Sequence, residues 1–375
     1  MASREMKILL GADHVICPLG SGSASVLDAM LLGTCGLVQD LISGGATATV
    51  GRAFTKGISD RPLEAQLLKC IATCRAQLSH DVFNTDGNDG ERGAVILSTT
   101  KGEIGLLEKG DAQAAFLPSL AERLRIGASL PTTPIVVSNA CASGTLAIKL
   151  AADLIRAGSY DHVLVLGSDL LSHFTLSGFA SLHALSVGPC RPFDHTRDGV
   201  SLGEAVAGVV LSNDASLFSA PLGEYIAGGM GNDANHISGP SRTGEGLVCA
   251  VDAALRASGR TVQDVGHINA HGTGSVYNDR MEAVAFGRLG MEHIPTNSHK
   301  GYFGHTLGAA GVLETILALH AMRRKQLPAS LGANDLRELP PLNVLQANGA
   351  PLSITLLKTS SGFGGCNAAI LLDAC

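Results

Sequence analysis

Short apolar runs alternate with longer stretches of helical spacing along the whole chain, and this alternation is what most limits the possible folds. Runs near Ile8–Ile16, Ala94–Ser98, Pro134–Val137, His162–Gly167 and Ala205–Leu211 have the length and residue types of strands. Between them, Arg61–Leu78, Ala112–Leu124 and Ala142–Ala157 carry apolar residues at helical spacing. After about residue 215 the same grammar resumes. It predicts strands near Gly223–Gly228, His267–Ala270, Ser353–Leu357 and Asn367–Leu372, and helices over Gly244–Ser258, Asp279–Leu289 and Leu307–Arg323. The pattern predicts a layered α/β protein built of two similar halves, 1–215 and 216–375, rather than a sandwich or a bundle. Asn84–Arg92, with its acidic residues and glycines, reads as an exposed turn, and the proline-bearing Lys325–Gln346 as a surface connection.

Composition removes several classes of function. With 45% hydrophobic and 16% charged residues in 375, the chain can bury a large core. Its 27 basic residues are outnumbered by 33 acidic ones and form no block, which argues against a nucleic-acid partner. No apolar run approaches the ~18 residues that span a bilayer. The early Ile8-Leu9-Leu10 run is broken by Asp13 and His14, so no secretory leader is expected. Nine cysteines, odd in number and irregular in spacing, predict reduced thiols and a cytoplasmic protein. The one close pair, Cys70 and Cys74, is read as two thiols on one helix face and not as half of a metal site.

Three segments carry groups that can do chemistry. In Ser138-Asn139-Ala140-Cys141-Ala142-Ser143-Gly144 a strand ends, a cysteine follows and a small-residue helix begins. The unpaired N–H groups of that helix start would favour a thiolate at Cys141 and could stabilise an oxyanion on an attacked carbonyl. Ala270-His271-Gly272-Thr273-Gly274-Ser275 raises a histidine from a strand end on a glycine-rich loop. Ser298-His299-Lys300-Gly301-Tyr302-Phe303-Gly304-His305 does the same with a lysine and a second histidine. Ligands of open α/β sheets gather at such strand ends. A dinucleotide-binding loop is absent, since Gly20-Ser21-Gly22-Ser23 continues into Ala24 and Ser25.

Together these segments resemble the β-ketoacyl-acyl carrier protein synthases, decarboxylating condensing enzymes of the thiolase-like superfamily. Asn139 to Gly144 resembles the family's nucleophile motif, and His271-Gly272-Thr273-Gly274 its first histidine motif. Gly304-His305-Thr306-Leu307-Gly308-Ala309-Ala310-Gly311 resembles its second, with Lys300 five residues ahead of His305. Arg191-Pro192-Phe193-Asp194 through Gly203-Glu204, and Gly362-Phe363-Gly364-Gly365-Cys366-Asn367, complete five motifs in order. The resemblance implies a duplicated thiolase-like α-β-α-β-α layered fold. It also implies an acyltransferase that condenses an acyl thioester with malonyl-carrier protein in fatty acid or polyketide assembly, with loss of carbon dioxide and without a metal, nicotinamide or flavin. Cys141, His271 and His305 would be catalytic, with the Cys141 and Phe363 N–H groups as the oxyanion hole. Lys300 would organise the histidines and pair with Glu282, and Glu314 would support the same network. The implied partners are acyl carrier proteins and a second chain, identical or of the chain-length-factor type, joined through the strand near the nucleophile.

The departures from the family pattern are Ser275 and Cys366, each where threonine is usual, and a clipped connection from Leu185 to Arg191. Cys366 raises the reading of a thiolase's second cysteine, but its Gly-Phe-Gly-Gly-Cys-Asn setting is synthase-like, so a structural thiol is expected. The alternative is a non-catalytic chain-length-factor-like subunit. Such partners lack the nucleophile, which this chain has. A synthase using Cys, His and Asn on coenzyme A primers is disfavoured because His305 follows Lys300 where Asn would stand. The Ser98-Thr99-Thr100-Lys101-Gly102-Glu103 run resembles synthases of pigment clusters such as aryl polyenes. Arg52, Lys56 and Lys69 are candidates for a basic patch facing an acidic carrier protein.

Overall fold

The computed structural model describes residues 6–41, 47–54, 61–84 and 92–375. The turn expected over Asn84–Arg92 falls mostly outside the described residues, and Lys56 lies outside them as well.

The apolar runs become strands of an 11-stranded sheet whose two halves repeat one plan. The first half lies in the spatial order Ile135–Val137, Gly93–Ser98, His162–Asp169, Ala205–Ser212, Ile8–Cys17. The second runs Thr296–Asn297, Val265–Asn269, Thr355–Gly362, Cys366–Ala374, Gly223–Asn232. Numbered along the chain within its half, each order reads 3-2-4-5-1, and in each the first three strands are parallel while the last two join antiparallel. The halves meet where Ile8–Leu10 pairs antiparallel with Gly223–Tyr225.

Burial explains the layering. Every residue of the helix Ala310–Arg323 from Ala310 to Leu319 is buried, Glu314 and Thr315 among mostly apolar neighbours, so the helix lies inside. It packs beside Ser143–Arg156, and the core around them draws Ile96, Val165 and Val209 from one half-sheet and Leu356, Ile370 and Leu372 from the other. Outside the first half-sheet lie Leu63, Leu67 and Ile71 of Pro62–Arg75 with Leu120 and Leu124 of Leu117–Gly127. Outside the second lie Leu247 and Val251 of Glu245–Ser258 with Ala285 and Phe286 of Val276–Arg288. The result is the expected α-β-α-β-α architecture, with Cys70 and Cys74 both buried on one helix.

The two central helices touch at glycines. A Cβ on Gly311 would stand 2.2 Å from the Thr145 nitrogen, and one on Gly144 would stand 2.8 to 2.9 Å from the Val312 and Gly311 backbone. This crossing brings together the helix starts that follow Cys141 and His305.

Several expectations change. The helix expected over Ala112–Leu124 is two helices, Ala112–Ala115 and Leu117–Gly127, because Phe116 turns extended (φ −65°, ψ 139°) ahead of Pro118, which has no N–H to continue the ladder. Lys325–Gln346 is pinned rather than merely superficial: Leu327, Ser330 and Ala333 are buried, and the Asn334 and Asp335 N–H groups donate to Asp194. Unforeseen were the helices Ser23–Leu31 and His173–Ser181 and a small sheet of Leu37–Leu41, Thr47–Gly51 and Leu202–Gly203.

Candidate active site

Cys141 stands on a tight turn between the strand Ile135–Val137 and the helix Ser143–Arg156. Ala140 sits in the left-handed region at φ 43°, costly for a residue with a side chain, and the turn is locked from within. Ser143 Oγ accepts from the Asn139 N–H at 2.7 Å and donates to the Ala140 carbonyl at 2.6 Å. The thiol is buried, and the Phe363 N–H opposes the effect of that burial by favouring the ionised sulfur. The expected preference for thiolate is reversed. Burial pushes the Cys141 thiol up to about 11 despite the opposing charges of Lys300 and Lys101, so it rests protonated.

His271 follows the strand Val265–Asn269, and its backbone is held at both ends. Its N–H donates to Glu282 at 2.7 Å, with the Gly272 N–H on the other Glu282 oxygen at 2.6 Å, and its carbonyl accepts from Lys300 Nζ at 2.6 Å. His305 donates its N–H to the Ser201 carbonyl at 2.7 Å. Its Nδ1 accepts from the Leu307 N–H at 3.4 Å, which leaves the proton on Nε2. The two rings meet edge to face with centroids 5.0 Å apart. Ligand-capable atoms of Cys141, His271 and His305 lie within 4.8 Å of one another, the one such cluster of cysteine, histidine and carboxylate groups among the described residues. A protonated Nε2 makes His305 a donor here rather than a metal ligand. Burial, then the charge of Lys300, holds both imidazoles well below their usual range, so both are neutral at physiological pH.

Beneath them lies a buried ionic network, in which Lys300 pairs with Glu314 at 2.7 Å rather than with Glu282. Glu282 sits under the His271 loop and faces backbone N–H groups, so it orients the loop instead of neutralising the lysine. Burial and the Asp279 charge raise it to about 7. Burial alone would raise Glu314 too, but Lys300 and Lys358 overturn that and hold it at about 2. Lys358, 2.5 Å from Glu314, was not anticipated from the sequence, nor was Asp169. The buried Asp169 carboxylate accepts from the Gly308 N–H at 2.7 Å and the Thr100 N–H at 2.9 Å, tying Thr99–Lys101 to the loop after His305. Asp169 closes the strand His162–Asp169, and a carboxylate at a strand end is the local sign that could mark it.

A cavity of about 470 Å³ opens over the trio, lined by Phe179, Val200, Ile237, Thr273, Ser275 and Phe363 among others. Phe363 is 39% exposed and its ring stacks on Phe179 at 5.6 Å. Cys366 packs against Ala142, Leu146 and Ala368 beneath the Cys141 turn, outside the cavity lining. Arg52 is engaged by Asp40 and Glu204, which removes it as a docking cation, while Lys69 is exposed.

A duplicated five-layered fold with a cysteine and two neutral histidines at its strand ends defines a thiolase-like condensing enzyme. The family models for the β-ketoacyl synthase N-terminal and C-terminal domains match residues 121–216 and 222–334. The chain is 30% identical over 293 residues to a 3-oxoacyl-[acyl-carrier-protein] synthase 2 of Vibrio cholerae, covering 72% of this chain and 71% of that one. A synthase of the same name from Rhizobium meliloti is 35% identical over 255 residues, 63% of this chain and 59% of its own. Among solved structures, the ketosynthase ApeO in complex with its chain length factor ApeC from Xenorhabdus doucetiae superposes with a TM-score of 0.87 at 25% identity, over 100% of both chains. The chain belongs to the β-ketoacyl synthase family and is an acyltransferase of the condensing type. No helix among the described residues is long and apolar enough to cross a membrane.

Proposed function

We propose that Cys141, His271 and His305 carry a decarboxylative condensation of an acyl thioester with malonyl-carrier protein. The observation that carries this reading is the convergence of one thiol and two neutral imidazoles within 4.8 Å under a single cavity. Cys141 attacks the acyl thioester, a new C–S bond forms as the carrier's C–S bond breaks, and the thiol proton ends on the departing carrier thiol. The N–H groups of Cys141 and Phe363 stabilise the oxyanion. Malonyl-carrier protein then enters with its thioester oxygen on His271 and His305. Its carboxylate leaves as carbon dioxide, and the electron pair of the broken C–C bond becomes an enolate. The enolate carbon attacks the acyl-cysteine, and the expelled thiolate takes a proton from water.

Neutral imidazoles suit this role because the donated N–H strengthens as negative charge grows on the oxygen, with no proton lost from the pair. The chain-length-factor reading is not favoured, since the nucleophile and both histidines are present and assembled. Lys300, Glu282 and Glu314 are positioning residues in this scheme. The partners proposed are an acyl carrier protein at the cavity mouth, where Tyr277 and Ile237 are exposed, and a second chain of this fold on the edge strand Ile135–Val137.

Intact-mass measurement after incubation with acyl-carrier proteins tests the reading. We expect a gain of one acyl group, absent in Cys141→Ala, and its discharge as a 3-ketoacyl product when malonyl-carrier protein is added. Failure to load, even with a co-purified partner chain, would return the chain to the non-catalytic reading.

A further inference from the structure

Lys358 is a fully buried lysine in the middle of the strand Thr355–Gly362, directly after Leu356 and Leu357. Its ammonium contacts Glu314 Oε2 at 2.5 Å, Glu314 Oε1 contacts Lys300 at 2.7 Å, and Lys300 contacts the His271 carbonyl at 2.6 Å. All three side chains have no solvent exposure. An unbroken chain of charged hydrogen bonds therefore runs from Lys358 to the backbone of a catalytic histidine. Burying an ammonium is costly, and one Glu–Lys pair would already satisfy Glu314, so the second lysine calls for an explanation.

We propose that Lys358 is a positioning residue of the condensing site: held on the far oxygen of Glu314, its ammonium fixes the Glu314–Lys300–His271 chain and keeps the His271–His305 pair uncharged. The inference rests on the catalytic roles proposed above.

Charge counting supports it. Lys300 and Lys358 share one carboxylate, so this compartment holds a surplus cation where a protonated imidazole would be a third. Lys358 acts in the same sense on His271, His305 and His299, opposing a proton on each. His299 is itself buried, with neither ring nitrogen hydrogen-bonded among the described residues, so it cannot relay that charge away. The groups facing Lys358 are Glu314 on the central helix, Lys300 at the start of the short helix Lys300–Phe303, Glu282 on Val276–Arg288, and His267 on the adjoining strand. Glu282 opposes the surplus, but it is occupied by the His271 and Gly272 N–H groups. The same surplus favours the reaction, because an enolate brings negative charge to this site and a cation already in place needs no reorganisation to meet it.

Lys358→Met, Lys358→Gln and Lys358→Arg test the assignment, each checked for a native thermal transition; Gln serves where the apolar chain is not accommodated. Histidine ¹³C NMR of the resting protein, assigned with His271→Asn and His305→Asn, reads the imidazole midpoints without any substrate. Malonyl-carrier protein decarboxylation against pH reads the acid limb of activity. We expect the uncharged variants to raise the midpoints and the acid limb together by about one unit, so that activity below the limb falls about tenfold, with Arg restoring both. Unmoved midpoints in a folded Met or Gln variant would overturn the proposal. Midpoints that move in a protein that never decarboxylates malonyl-carrier protein would uphold the electrostatic role of Lys358 and overturn the condensing mechanism instead.

Discussion

At the scale of single residues, Glu314 shows how one carboxylate can hold a site together. It is buried between two ammonium groups, and removing its charge would leave both cations in the interior without a counterion. Glu314→Gln should therefore cost about 3–5 kcal/mol near neutral pH, measured by urea unfolding. The pH dependence has a definite sign. The folded-state carboxyl titrates at about 2 against an ordinary 4.5, so its contribution is fully present above about 4.5 and is lost as pH falls from there toward 2. The wild type should lose more stability than Glu314→Gln across that window, and equal losses would show that Glu314 is not held ionised. Cys141 teaches a complementary lesson. A helix start was expected to favour its thiolate, yet burial outweighs the partial charges of a few N–H groups, and the residue rests as a thiol.

At the scale of elements, the site depends on how closely two helices approach. Ser143–Arg156 and Ala310–Arg323 cross where Gly144 meets Gly311, with backbone in the space any side chain would need. Gly311→Ala must push the helices apart, with an expected cost of about 1–3 kcal/mol in a thermal or urea melt. Because the helices begin just after Cys141 and His305, acyl loading should slow by more than the loss of folded protein accounts for. Unchanged loading in a destabilised protein would mean the crossing serves stability alone. Elements also explain the divided helix before the strand Ile135–Val137. Apolar spacing runs through Phe116, but Pro118 interrupts the hydrogen bonding, and backbone chemistry prevails over periodicity.

At the scale of the whole molecule, the repeated strand order places Ile135–Val137 and Thr296–Asn297 at opposite ends of one continuous sheet. The first edge leads directly into the Cys141 turn, and an unpaired sheet edge is exposed to misassociation unless covered. Pairing there with a second chain would cover it. Sedimentation equilibrium should give twice the chain mass, either alone or with a co-purified relative of this fold, and Val136→Lys should return the single-chain mass. A wild-type chain that stays single with every candidate partner would rule this pairing out.

Much of this organisation was legible from residues in line. Alternating apolar runs and helical spacing located the principal strands and helices, because side-chain burial repeats with backbone geometry. The five ordered motifs marked Cys141, His271 and His305 through their resemblance to the family's, and a cysteine at a helix start and histidines on glycine loops are patterns that can be seen in line. The sequence by itself determined the layered α/β class, and its resemblance to the β-ketoacyl synthases pointed to condensing chemistry and to Cys141, His271 and His305 as candidates. Only the tertiary structure decided who pairs with whom: that Lys300 faces Glu314 and not Glu282, that Lys358 lies beneath the histidines, that Asp169 ties distant loops together, and that Cys366 stays out of the cavity. Those are contacts between residues far apart in the chain. They arise where separate strands and helices converge, and charge pairing in a buried compartment follows distance in space, which spacing along a sequence does not encode.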